Sequence, residues 1–172
     1  MNCPYCGTEN LDVVDDCAEC GQPLSDAHLA DPSTTVEQGL LTDHVDVLSP
    51  KKPIAISAQT AVRDVLRMLV DRGIGCVIVT EEGKPIGIFS DRDALVKLST
   101  NASSLGDRPV SEFMTTALET LEIGAKVAFA VQRMDVGGYR HLPIVGDAGE
   151  LTGIISVRDI LQYLTEKLTA QP

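Results

Sequence analysis

Two stretches of the chain repeat one pattern of apolar and polar positions. Apolar residues recur at the spacing i, i+3, i+4, i+7 over residues 62–69 and again over 127–134, which predicts two amphipathic helices. Each helix is followed by an apolar run, a turn that ends in glycine at 80–83 or 146–149, and a second apolar run. Turns of this composition between apolar runs are typical of β-hairpins.

The repeat is an internal duplication. An offset of 66 positions relates Gly87 to Gly153 and Asp93 to Asp159. Each unit is predicted to run strand, helix, strand, hairpin, strand, helix, and the first strands are placed at 54–56 and 118–121. We expect the last helix of the second unit to bury one apolar face, formed by Ile160, Leu161, Leu164 and Leu168.

This organisation resembles the CBS domain pair, also called a Bateman module. The resemblance is carried by residues 110–115, by residues 139–145 and by the two Gly-x-x-Ser-x-x-Asp segments. These motifs are specific because they are doubled and follow one another in the family's order. The resemblance implies an α/β fold of the α+β type. It places one CBS domain at 45–105 and another at 106–172, each with a small three-stranded sheet and two helices.

The two Gly-x-x-Ser-x-x-Asp segments suit a nucleotide. Ser90 and Ser156 fall where a strand passes into a helix, and Asp93 and Asp159 lie in the first helical turn. A helix N-terminus attracts phosphate, and a carboxylate at this spacing can accept both hydroxyl protons of a ribose. The glycine predicts the close approach of another group. The same pattern is also a capping box that only starts a helix, and one pair of residues can serve both roles.

The resemblance implies two nucleotide sites. In CBS pairs that bind AMP, ADP or ATP, the matching aspartate holds the ribose, the matching Ser or Thr contacts phosphate, and adenine lies against the second strand. His141 either contacts the ligand or only lines the cleft. The residues implied are Ser90, Arg92, Asp93, Cys76, Val77, Ser156, Arg158, Asp159, His141, Leu142 and Pro143.

The two units are not equivalent. Unit one lacks the Leu-Pro pair of unit two, so its adenine wall is less typical of the family. Unit two has Gly124 and Ala125 where unit one has Ser57 and Thr60, so we expect a weaker phosphate end there. We expect at least one working site and favour the one around Asp159.

Four cysteines, at positions 3, 6, 17 and 20, precede the repeat in the pattern C-x2-C-x10-C-x2-C. Two such knuckles supply the four sulfurs of a closed tetrahedral site, which suits structural zinc. Rubredoxin-like iron and a pair of disulfides are the alternatives. We therefore predict a zinc ribbon over 1–24, with the ligands Cys3, Cys6, Cys17 and Cys20, and a linker over 25–44 that contains a short helix docked on the following domain.

Charge narrows the choice of partners. The net charge is −11, and residues 1–44 hold nine acidic residues but no Lys or Arg. Such a segment repels phosphate backbones, which makes a nucleic-acid-binding ribbon the poorest of the alternatives and favours a basic protein partner. The sequence shows neither a membrane span nor a signal peptide, so we expect a cytoplasmic protein.

The sequence gives no sign of catalysis. It contains no P-loop or Rossmann fingerprint, and none of its three histidines lies in a catalytic motif. We therefore predict a non-enzymatic regulatory protein, a homodimer by resemblance to CBS pairs, that senses adenosine-containing nucleotides and signals to a protein partner. The alternatives are a ligand-free interaction adaptor and a small iron-ribbon redox protein.

Overall fold

A computed structural model describes residues 3, 8–11, 14–19, 21, 24 and 34–169. Each repeat forms one three-stranded sheet, in which the strands lie side by side in their sequence order. The first pair of strands in each sheet is parallel and the second pair antiparallel. The strands and helices are α1 (Thr35–Thr42), β1 (Ala55–Ile56), α2 (Val62–Arg72), β2 (Cys76–Glu81), β3 (Lys84–Ser90), α3 (Asp91–Asp93), α4 (Ala102–Leu105), β4 (Leu121–Glu122), α5 (Val127–Gly137), β5 (His141–Val145), β6 (Leu151–Ser156) and α6 (Val157–Thr169).

The amphipathic helices and the first hairpin form as the sequence predicts. In α2, the apolar positions Val62, Val65 and Leu69 are buried, and the helix ends at Gly73 with a φ of 60°. Glu82 and Gly83 connect β2 to β3 with φ values of 50° and 80°. Two successive positive φ angles define the type I′ turn, whose twist matches that of paired strands.

The ends of the units differ from the predictions. In unit two the first strand begins at Leu121 rather than at residue 118. The helix after β3 is irregular, because a π-helical stretch (Ala94–Leu98) and a 3₁₀ turn (Ser99–Asn101) separate α3 from α4. The apolar face predicted for α6 is wrong in part. Its buried residues include Ile160 and Tyr163, while Leu161 and Leu168 are 58% and 61% exposed, since they point away from the core.

The first segment of each repeat packs against the other repeat. The 3₁₀ turn Val45–Leu48 belongs by sequence to unit one, yet Val45 and Leu48 are buried in the core of unit two. The matching turn Val110–Glu112 lies against unit one, where Val110 and Phe113, the residue that follows the turn, complete the core. The two units are therefore interlocked by exchanged segments.

The exchanged segments explain the glycine in each Gly-x-x-Ser-x-x-Asp segment. A β-carbon on Gly87 would lie 2.5 Å from Met114 Sδ, and one on Gly153 would lie 3.0 Å from Pro50 Cβ. Met114 and Pro50 occupy matching positions, because the next residues, Thr115 and Lys51, pair through their backbones with β3 and β6. The close approach predicted from these glycines is therefore made by the protein's own chain, not by a ligand.

The predicted linker helix exists and is docked. Thr34 caps α1 with a capping box in which Glu37 is the partner. The helix packs on α5 and α6 of unit two, whereas the domain that follows it in the sequence is unit one. Asp43 at the end of α1 accepts hydrogen bonds from Tyr163 Oη and Lys167 Nζ, both at 2.8 Å. This contact follows from the exchange, because the chain leaves α1 directly into the core of unit two.

Candidate functional site

Cleft one is the cavity around Asp93, with a volume of about 240 Å³. Ser90 caps the helix that begins at Asp91, and Asp93 Oδ2 accepts hydrogen bonds from Ser90 N at 2.9 Å and from Ser90 Oγ at 2.6 Å. The capping role considered for this motif is thus confirmed. It uses one carboxylate oxygen, while the other, Oδ1, is held by Thr115 Oγ1 at 2.9 Å and Lys97 Nζ at 2.7 Å.

Cleft two is the cavity around Asp159, with a volume of about 550 Å³. Asp159 Oδ2 accepts hydrogen bonds from Ser156 N at 2.7 Å and from Ser156 Oγ at 2.6 Å, as in cleft one. Its Oδ1 is held by Lys51 Nζ at 2.7 Å. Lys51 takes the place of Thr115 because both residues lie in the exchanged segments. Each cleft is consequently built from both repeats.

The two cleft aspartates are ionised over a wide pH range. Burial alone would raise the pKa of Asp93, but hydrogen bonds from Lys97, Ser90 and Thr115 outweigh burial and lower it below its ordinary value. Burial would likewise raise the pKa of Asp159, but hydrogen bonds from Lys51 and Ser156 outweigh burial and lower it below its ordinary value. An ionised carboxylate only accepts hydrogen bonds, which suits the two hydroxyl donors of a ribose diol.

A shared wall separates the clefts. Arg140 and His141 line both cavities, and Arg140 forms an ion pair with Asp91 of the other unit. His141 pairs with Ser156 in the register of unit two, just as Cys76 pairs with Ser90 in unit one. Burial, then the charge of Arg140, lowers the pKa of His141, while burial raises the pKa of the Cys76 thiol to about 12. Both side chains therefore present neutral surfaces at neutral pH.

The predicted site residues divide into two groups. Eight of them line a cavity: Ser90, Arg92, Asp93 and His141 in cleft one, and Cys76, Ser156, Arg158, Asp159 and again His141 in cleft two. Cys76 thus lies in the cleft of Asp159, not in that of Asp93. The other three, Val77, Leu142 and Pro143, are buried in their strands and line neither cavity. Val77 and Leu142 point to the cores of their units, whereas Pro143, the next residue along β5, is buried on the opposite face because side chains alternate along a strand.

Sequence reasoning missed five cleft residues, of which the exchange brings in Lys51 and Thr115. Lys51, Lys52, Lys97, Thr115 and Arg140 line the clefts and were not predicted. The signal was the repeat itself, since the segments before the first strands are matched in sequence, but their crossing to the other unit has no local signature. The expected weakness at Gly124 and Ala125 has no bearing here, because neither these residues nor Ser57 and Thr60 line a cleft.

Half of the predicted metal ligands can be placed. Cys3 and Cys17 are each 2% exposed, and Cys17 Sγ accepts a hydrogen bond from Asn10 Nδ2 at 3.5 Å. Gly21 has a φ of 67°, in keeping with a tight turn after a knuckle. Cys6 and Cys20 lie outside the described residues, and the part of the chain that is described holds no cluster of three or more ligand side chains. A buried sulfur that accepts an N–H bond fits a metal thiolate.

The two repeats match a known protein family in sequence. The CBS domain model matches residues 45–100 and 110–166. An uncharacterised protein of Methanopyrus kandleri is 38% identical over 105 residues, which are 60% of this chain and 53% of that protein, so the chain spans about half the length of this relative. None of the helices in the described ranges is long and apolar enough to cross a membrane.

Solved structures share the fold. A CBS domain protein of Pyrobaculum aerophilum complexed with AMP is 25% identical, has a TM-score of 0.63, and covers 74% of this chain and 99% of its own. The CBS domain pair of protein MJ0100, in complex with 5′-methylthioadenosine and S-adenosyl-L-methionine, is 22% identical with a TM-score of 0.63. It covers 72% of this chain and 97% of its own.

Proposed function

Since the chain belongs to the CBS domain family, we propose that it is a non-catalytic regulatory protein that binds adenosine-containing nucleotides in its two clefts. The observation that carries the proposal is the arrangement of Asp93 and Asp159. Each lines a cavity, with one carboxylate oxygen fixed by a serine cap and the other bonded to an exchangeable lysine. The AMP-bound relative of similar fold supports the choice of ligand.

The binding mode follows from the chemistry of each wall. The ribose hydroxyls donate to Oδ1 of the aspartate, in place of the lysine that now occupies it. The phosphate lies near the serine hydroxyl and Arg92 or Arg158, next to the helix N-terminus. Adenine lies against His141 in each cleft, and in cleft two also against Cys76; both side chains are uncharged at neutral pH.

A signal can pass from cleft two to the N-terminal segment. The helix α6 begins with the cleft residues Arg158 and Asp159, and its later turns hold Asp43 of α1 through Tyr163 and Lys167. A nucleotide shifts α6 only if it binds one position of the helix better than another. The acidic segment before α1 would then present a changed surface to a basic protein partner.

Assembly and metal binding complete the proposal. Leu95 and Leu161 lie at matching positions of the repeat and are 77% and 58% exposed, which suits an interface between two copies in a homodimer. The cysteines at positions 3, 6, 17 and 20 would hold a structural zinc ion, which supplies folding energy to a segment too small for its own core. The protein would act in the cytoplasm.

Calorimetric titration with AMP, ADP, ATP and S-adenosylmethionine tests nucleotide binding. We expect micromolar binding that Asp159→Ala weakens about 100-fold at cleft two, because two charge-assisted hydrogen bonds are lost. Asp93→Ala removes the equivalent contact at cleft one, and Asp147→Ala, in the exposed turn between β5 and β6, is the control. A folded, nucleotide-free protein that gives no heat with any of the four ligands would rule out the sensor.

A ligand-free adaptor is the second candidate. Lys97 and Lys51 already satisfy Oδ1 of the two aspartates, so the clefts are stable without a nucleotide. In that case Asp159→Ala would destabilise the protein by removing the capping contacts with Ser156, and no nucleotide would raise the melting temperature of the wild type.

A further inference from the structure

We propose that cleft two selects adenosine nucleotides with two or three phosphates over the monophosphate, through Lys51, Lys52 and Arg158. The proposal rests on the nucleotide-binding function above and concerns the ligand class of one cleft. It starts from a substitution inside the repeat: cleft two has Lys51 where cleft one has Thr115, and each donates to Oδ1 of its aspartate.

The lysines that contact the two aspartates differ in how firmly they are held. In cleft one, Lys97 Nζ contacts Asp93, the Phe113 carbonyl oxygen and Thr115 Oγ1, and its side chain is 34% exposed. In cleft two, Asp159 is the only partner recorded for Lys51 Nζ among the described residues, and this side chain is 67% exposed. When a ribose takes Asp159 Oδ1, Lys51 is free to turn toward phosphate, whereas Lys97 keeps two of its three contacts.

The unpaired cations also favour cleft two. Four cationic and two carboxylate side chains line it, and the Arg140–Asp91 pair neutralises one of each. Within the described ranges, Lys52 and Arg158 have no carboxylate at ion-pair distance. In the same ranges, cleft one offers only Arg92 as an unpaired cation, since Lys97 is paired with Asp93, and its further carboxylate, Glu119, is paired with Arg133. Positive charge that has no carboxylate partner raises the local concentration of anions at the cleft.

Size supports the same assignment. The volume of cleft two, about 550 Å³, is more than twice the 240 Å³ of cleft one. A longer phosphate chain needs both this space and several cations, since each phosphate adds charge that must leave water. We therefore assign the di- or triphosphate to cleft two and expect little discrimination by phosphate number at cleft one.

The test isolates cleft two in an Asp93→Ala background and measures AMP, ADP and ATP by calorimetry. We expect ATP to bind about tenfold more tightly than AMP, one charge-assisted contact being worth about that factor. Lys52→Ala should weaken ATP about tenfold and AMP less than twofold, and Lys51→Thr, the cleft-one residue, should also narrow the ATP to AMP ratio. The control is Lys84→Ala, which removes one positive charge from the β2–β3 hairpin, away from both clefts.

Two outcomes would overturn the assignment without touching the proposed function. One is equal affinity for AMP and ATP, and the other is an equal loss of both with Lys52→Ala. A failure of the wild-type protein to bind any nucleotide would instead remove the proposed function itself, so the two failures are distinguishable.

Discussion

The two clefts share a backbone plan and differ in the side chains that the exchanged segments supply. In both, a serine caps a helix and fixes one oxygen of an aspartate. Four residues further along the helix, unit one has Lys97, which binds Asp93, while unit two has Tyr163, which binds Asp43 of α1. The same position of the repeat thus supports the cleft in unit one and attaches a neighbouring helix in unit two.

The largest predicted effect comes from substitutions that disrupt the packing of the exchanged segments. Phe113→Ala should destabilise the protein by about 3–5 kcal/mol, because a side chain only 9% exposed leaves a cavity in the core of unit one. Leu48→Ala is its counterpart in the core of unit two, with an expected loss of about 2–5 kcal/mol. Chemical denaturation measures both.

Hydrogen exchange then shows which unit each segment supports. Phe113→Ala should speed amide exchange in β2 more than in β5, although residue 113 belongs to unit two by sequence, and Leu48→Ala should do the reverse. Val70→Ala, on a side chain that is 80% exposed, is the control. Faster exchange in β5 alone after Phe113→Ala would contradict the exchanged packing.

The next effect concerns the Tyr163 position. Tyr163→Phe removes the hydrogen bond to Asp43 and should cost about 1 kcal/mol of unfolding free energy, since Lys167 remains as a partner of that carboxylate. Proteolysis in the 34–43 segment should become faster, because α1 is held less firmly. Matched replacement of Lys97 by methionine should leave the proteolysis of α1 unchanged. Equal proteolysis of Tyr163→Phe and the wild type would argue against the coupling of α6 to α1.

The smallest effect is the dependence of stability on pH. The pKa values of Asp93 and Asp159 are lowered in the folded protein, so both stabilise it above the ordinary carboxyl pKa of about 3.9. This stabilisation is lost as the pH falls through the folded values. Asp159→Asn and Asp93→Asn should each reduce the fall in unfolding free energy below about pH 4, measured by urea denaturation, whereas Asp147→Asn should not. If the unfolding free energy of both variants fell below pH 4 as steeply as that of the wild type, the lysine and serine contacts would not stabilise the carboxylates.

The repeat and its local elements could be predicted from the sequence, since α2 and the Glu82–Gly83 turn follow from periodicity and turn chemistry. The aspartates and serines of the clefts were predictable because the motif is local and doubled. Lys51 was not, since its position depends on how one repeat crosses to the other. Arg140 was not, since its ion pair with Asp91 depends on how the two units pack together. Val77, Leu142 and Pro143 were placed in the clefts by analogy, but Val77 and Leu142 face the cores of their units, and Pro143 is buried without lining either cleft.

The most direct test of nucleotide binding is a crystal structure of the protein grown with ATP. The account predicts a nucleotide in cleft two, with its ribose hydroxyls on Asp159 Oδ1, Lys51 turned away from that oxygen, and its phosphates beside Lys52 and Arg158. A structure in which Lys51 still holds Asp159, with the nucleotide bound elsewhere or absent at saturating ATP, would contradict the account.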